Sequence, residues 1–132
     1  MAANIPDQYK DLFNKVAFGH LATLMPDGRP QVTPVWFDLD GSHIRVNSAK
    51  GRVKDKNLAR NPNVALAIVD PDNLYRYVQV RGRIAEVTES GADAHIDALA
   101  KKYTGQDKYG HRQPGEVRVT YKVVPERVQT MG

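Results

Sequence analysis

Two Asp-Gly pairs, Asp27-Gly28 and Asp40-Gly41, interrupt apolar runs at short intervals, and this punctuation constrains the fold more than any other feature of the chain. Asp-Gly between alternating apolar residues is a strong hairpin signal, because these residues accept the positive φ that tight turns between antiparallel strands require. The runs VAFGHLATLM, PQVTPVWFDL and SHIRVNS around these turns therefore predict three strands joined as an antiparallel meander. Ahead of them, residues 6–15 predict a short amphipathic helix with Pro6 in its first turn and Leu12 and Phe13 turned inward.

Further along, GRVKDKNLARNP predicts a short helix that stops at Asn61-Pro62, since the residue before a proline is pushed out of helical geometry. NVALAIVD then reads as a buried strand. After the turn DPDN the segment LYRYVQVRGRIAEV alternates strictly, with Val78, Val80, Gly82 and Ile84 on one face and Tyr75, Tyr77, Gln79, Arg81 and Arg83 on the other. Ile96, Leu99 and Tyr103 recur at helical spacing and predict a surface helix over residues 89–103. TGQDKYGHRQPG reads as a polar loop, EVRVTYKVV as a last strand and PERVQTM as a tail. Six or so antiparallel strands with a few short helices favour a closed or nearly closed β-barrel, which leaves few exposed strand edges. The expected fold class is mainly β, as a single domain over residues 1–132, a length that buries one modest core.

The chain holds no cysteine, which excludes disulfides, thiolate chemistry and cysteine-based zinc sites together. His20, His43, His95 and His111 show no metal-ligand spacing, and Ser42, Ser48 and Ser90 lie in no nucleophile motif, so neither a metal site nor a hydrolytic triad is expected. His111, in the glycine-flanked loop, reads as solvated. No apolar run approaches the roughly 18 residues of a spanning helix, and the N-terminus has no signal pattern, so a cytoplasmic protein without a membrane partner is expected.

The formal charge of +4 invites a nucleic-acid reading, and its distribution argues against one. Lys50, Arg52, Lys54, Lys56 and Arg60 face Asp55 alone within residues 50–60, and this segment carries the whole excess. One compact patch suits a small multi-anionic ligand, whereas a phosphate backbone calls for a broader stripe. No tyrosines interleave with it to make a stacking platform. Cations at a helix start also oppose the macrodipole, a local rule that an anion would restore. Backbone N–H groups at that start, the Ser48 hydroxyl and the side chains of Lys50, Arg52 and Lys54 together describe a phosphate cradle. Lys56 and Arg60 fall on its solvated face. The plain alternative is a charged surface helix with no ligand.

Two further anomalies stand out. Thr33-Pro34 places a proline inside an otherwise good strand, which belongs at an edge or bulge where backbone groups are exposed. The face bearing Tyr75, Tyr77, Gln79 and Arg81 is too aromatic for solvent and suggests a dimer seam. Trp36 reads as core.

The run HLATLMPDGRPQVTPVWFDLDG, the helix GRVKDKNLARNPNVAL and the stretch DPDNLYRYVQVRGRI resemble, in order and spacing, the pyridoxamine 5'-phosphate oxidase-like FMN-binding split β-barrel superfamily. YRYVQVRGR after DPDN is most similar to its branch dependent on the deazaflavin coenzyme F420. The resemblance covers nearly the whole chain. It implies an antiparallel split β-barrel and an oxidoreductase that uses reduced F420 to transfer hydride to a small electrophilic or conjugated substrate. It also implies a homodimer with the cofactor between subunits. Ser48, Lys50, Arg52, Val53, Lys54 and Asn57 would grip the cofactor's phosphate, Val32, Thr33, Pro34 and Val35 the polar edge of its ring, and Tyr77, Gln79 and Arg81 would complete the pocket. No catalytic acid or base is assigned, because the cofactor supplies the chemistry. An FMN-dependent enzyme of the same fold and a non-catalytic flavin carrier remain alternatives.

Overall fold

The computed structural model describes residues 3–132. A 3-10 helix, Asp7–Phe13, precedes β1 (Gly19–Leu24), β2 (Pro30–Val35), β3 (Phe37–Asp40) and β4 (His43–Ala49). Helix α1 (Val53–Arg60), β5 (Asn63–Asp70), β6 (Asn73–Thr88), α2 (Ala92–Thr104) and β7 (Arg118–Met131) follow. All strand pairs are antiparallel in one seven-stranded sheet of order β2-β1-β5-β6-β7-β4-β3. This is the mainly β, split-barrel architecture expected from the sequence.

The expected three-strand meander is corrected. The run PQVTPVWFDL breaks at Trp36 into β2 and β3, which lie at opposite edges of the sheet. Because Val35 ends one edge strand and Phe37 begins the other, the sheet must curl until its edges approach, and that curl makes the half-barrel. Each Asp-Gly pair thus closes its own hairpin, β1-β2 at one edge and β3-β4 at the other. Pro34 sits on the edge strand, where a missing N–H costs no ladder bond.

Alternation along the strands fills the curl. Leu21, Ile44, Val46, Leu66, Ile68, Val78, Val80, Val119 and Val123 are buried in one cluster, which Leu12 and Phe13 of the 3-10 helix plug and Phe37 joins from the closure. Helix α2 clasps that closure. Lys102 donates to the carbonyls of Phe13 (2.7 Å) and Phe37 (2.8 Å), and the Tyr103 hydroxyl donates to Ala17 O (2.6 Å). Burial pushes the Lys102 ammonium down to about 8 and the Tyr103 hydroxyl up to about 12. Trp36 stacks on the Tyr103 ring at 5.1 Å between centroids, outside the core to which the sequence assigns it.

The expected C-terminal tail is instead strand. β7 runs on through Pro125 to Met131 against β6, with a register shift between Arg81 and Gly82. The backbone there approaches so closely that a Cβ on Gly82 would run into Val124 O. Only glycine fits.

Candidate functional site

The cationic segment folds as expected at its C-terminal end, where Asn61 leaves helical geometry (φ −144°) before Pro62. At the other end Gly51 takes φ +89° and Arg52 is the N-cap residue without a side-chain cap. Lys56 N–H donates to Arg52 O (3.0 Å), so the N–H groups of Val53, Lys54 and Asp55 have no intrahelical acceptor. The Asp55 carboxylate turns away from these amides. It accepts from Gly51 N–H (2.9 Å) and from the buried Tyr121 hydroxyl, whose pKa burial and that carboxylate push up.

The predicted cations divide sharply. Lys50 is drawn aside by Glu89 (2.6 Å), and that hydrogen bond raises its pKa. Arg52 reaches Glu116 (3.4 Å). Lys54 forms no ion pair among the described residues, and burial, reinforced by the charges of Arg52 and Arg118, holds its ammonium below the usual lysine range. On β4, the strand that leads into this segment, the Ser48 hydroxyl is fully buried and has no hydrogen-bond partner among the described residues. A half-buried unpaired cation on a helix start with open N–H groups forms an arrangement short of one anion.

Val53 offers this place its backbone and an exposed side chain. Asn57 anchors α1 instead: its amide donates to Thr23 Oγ1 (2.9 Å) and accepts from Arg60 (2.5 Å), while Thr23 donates on to Gln31 of β2 (3.4 Å). Arg60, expected as solvated surface, also donates to Leu24 O (3.4 Å) and so ties the helix to β1.

The edge-strand and β6 candidates share the outer face of the sheet. Val32, Ala22, Ala65, Arg81 and Arg127 are successive register partners across five strands, and Pro34, His20, Ala67, Gln79 and Gln129 form the next row. The alanines make a low floor between taller residues. A cleft of about 980 Å³ opens beside it, lined by Ala22, Thr23, Ala65, Arg81, Gly82 and Arg127 among others. Thr33 and Val35 point to the opposite face, with Val35 in the core. Tyr77 and Gln79 are half-buried, whereas Tyr75 is 80% exposed and Val32 62%. No cradle residue lines the cleft.

Sequence reasoning missed a buried polar relay between β3, β4, β7 and α2. His95 contacts Asp38 through Nε2 (3.2 Å), and Asn47 (3.1 Å) and Thr120 (3.2 Å) through Nδ1. Burial opposes ionisation of Asp38, but hydrogen bonds from His95 and the paired nitrogens of Arg45 (2.9 and 2.7 Å) hold its carboxyl down at about 2. Arg118, 3% exposed, donates to Asn47 Oδ1 (2.9 Å) and to Glu116 (3.1 Å), which links the relay to Arg52. The only trace of this in the sequence is polar residues on the alternate positions of β4 and β7. His111 is exposed and packs edge-on to Tyr109. Among the described residues no group of three metal-ligating side chains occurs, and no helix is long and apolar enough to cross a membrane.

Comparison with known proteins agrees with the fold. The pyridoxamine 5'-phosphate oxidase family model matches residues 5–132. A pyridoxine/pyridoxamine 5'-phosphate oxidase of Bradyrhizobium diazoefficiens is 40% identical over 89 residues, covering 62% of this chain and 38% of that protein. A relative of the same name from Bradyrhizobium sp. is 32% identical over 114 residues, 83% of this chain and 51% of its own length. The chain thus spans about half or less of the curated relatives it matches. A solved structure named F420 reductase superposes with a TM-score of 0.82 at 35% identity, covering 95% of this chain and 98% of that one. A conserved hypothetical protein of Mycobacterium tuberculosis gives 0.78 at 25% identity, over 98% and 86% of the two chains. A family match over nearly the whole chain, joined to the split-barrel topology, places this protein in the pyridoxamine 5'-phosphate oxidase family.

Proposed function

We propose that this protein is an oxidoreductase that binds reduced coenzyme F420 and passes hydride to a small electrophilic or conjugated organic substrate, acting as a homodimer. Lys54 is the observation that carries the reading: a half-buried ammonium with no carboxylate partner among the described residues, on the open helix start. A phosphate held there gives each of these groups its missing partner. When bound, the deazaflavin supplies the hydride. The protein's part is to hold the anionic arm at Arg52, Val53 and Lys54, to offer a flat ring the alanine floor between Val32 and Arg81, and to keep water out.

The similarity to a chain named F420 reductase, over nearly the full length of both, supports F420 over FMN. The dimer rests on the exposed apolar and aromatic side chains of the outer face, Val32, Tyr75 and Met131, which are too many for a face left in water. In one chain the cradle and the cleft are separate, so a second copy across that face would supply what each pocket lacks.

FMN is the second reading, and the Lys50–Glu89 pair favours it, because withdrawing Lys50 leaves fewer cations for the longer anionic tail of F420. Fluorescence titration with both cofactors decides between them. Tighter binding of F420 is expected, and FMN binding tenfold tighter, a gap of about 1.4 kcal/mol, refutes the F420 assignment.

A further inference from the structure

Glu116 is a carboxylate in an unusual position. Its side chain is 7% exposed, yet it lies at the mouth of a site short of negative charge. Oε1 accepts from Arg118 Nη1 (3.1 Å) and, at the longer distance of 3.4 Å, from Arg52 Nη2, while Oε2 is buried without a partner. A carboxylate placed for stability alone would have both oxygens paired, because leaving one buried and unpaired forfeits its hydration for nothing.

The two arginines differ in freedom. Arg118 is fixed: Nε donates to Asn47 Oδ1 (2.9 Å), the guanidinium lies 5.0 Å from the centre of the Tyr109 ring, and the side chain is 3% exposed. Arg52 is 45% exposed, and Glu116 is its sole ion-pair partner among the described residues. If Arg52 swings away, Glu116 keeps Arg118 and no buried charge is stranded. Glu116 cannot follow, because Arg118 holds it.

We infer that Glu116 is the specificity-determining counter-anion of the cradle: its carboxylate holds Arg52 when the site is empty, and it admits only an anion that outcompetes a single carboxylate for that guanidinium, such as a phosphate dianion. This rests on the reading of the α1 start as a phosphate site. A singly charged carboxylate ligand offers Arg52 nothing it does not already have, whereas phosphate adds a second charge and a third acceptor oxygen.

The test is calorimetric titration of the full chain with inorganic phosphate at pH 8 and low salt. Glu116→Gln keeps the shape and removes the competing charge, and about fivefold tighter phosphate binding than wild type is expected, the factor that corresponds to one modest ion pair. Glu116→Asp, one methylene shorter, keeps the negative charge but draws it back from Arg52, whose 3.4 Å contact is already the longer of the two. It too binds phosphate more tightly than wild type, which preserves the test if E116Q folds poorly. In an Arg52→Ala background the E116Q gain disappears. Phosphate affinity unchanged or weakened in E116Q and E116D, no phosphate binding to either, or a gain that survives without Arg52 each overturns the inference. Failure of the cofactor reading is a separate outcome, since wild-type protein would then bind neither F420 nor FMN while the phosphate comparison still reports on Glu116.

Discussion

Lys54→Met separates binding from stability in a way that few surface substitutions can. In the folded chain the Lys54 ammonium is half-buried, has no counter-ion among the described residues and sits near Arg52 and Arg118, so its charged form is disfavoured. The folded pKa lies below the unfolded value, and the unfolded chain therefore binds more protons across the window between them. Stability must rise as pH climbs through that window toward 10.5. Methionine fills similar volume without charge, so the apo variant should melt slightly higher than wild type at pH 7, and the difference should shrink toward pH 10.5. Binding moves the other way. A charge-assisted hydrogen bond to phosphate contributes about 2 kcal/mol, so the variant should bind cofactor about thirtyfold more weakly. Differential scanning fluorimetry across pH, paired with fluorescence titration of F420 and FMN, reads both effects. A variant that melts lower than wild type while binding cofactor normally would refute the idea that Lys54 is strained in wait for an anion.

Gly82→Ala should destabilise by about 3 kcal/mol in denaturant titration, because the new methyl meets the Val124 carbonyl, which the β6-β7 ladder does not let move; near-wild-type stability would mean that the bulge relaxes. Asp38 has its folded pKa held at about 2 against an ordinary 3.8, so its stabilisation is complete above pH 3.8 and lost as pH falls toward 2. That loss amounts to about 2 kcal/mol, and Asp38→Asn, less stable at neutral pH, should show a shallower acid decline than wild type; parallel curves would discount the His95 and Arg45 contacts. Tyr77→Glu places a charge on the outer face and should give a monomer by sedimentation that loses cofactor affinity in step. A variant that stays dimeric and binds normally would put this strand outside both seam and pocket.

Local chemistry in the sequence determined a good deal. Asp-Gly pairs mark both edge hairpins, Asn61-Pro62 ends α1, strict alternation along β6 separates Val78 and Val80 from Tyr77 and Arg81, and Pro34 signals an edge. Each of these depends on a residue and its immediate neighbours, so no knowledge of the fold was needed. The cationic run likewise announces itself in one short segment.

Tertiary structure decided which of those signals cooperate. Whether Trp36 continues a strand or turns the chain from one sheet edge to the other depends on the sheet closing on itself, a property of seven strands at once. Whether Lys50 belongs to the cradle depends on Glu89, 39 positions away, and whether Arg52 is free depends on Glu116, 64 positions away. Arg118, Asn47, His95 and Asp38 meet only because β3, β4 and β7 are neighbours under α2. A side chain's charge is written in the sequence, but its partner is chosen by strand order and register, and it is the partner that decides whether a cation is spent within the protein or left for a ligand.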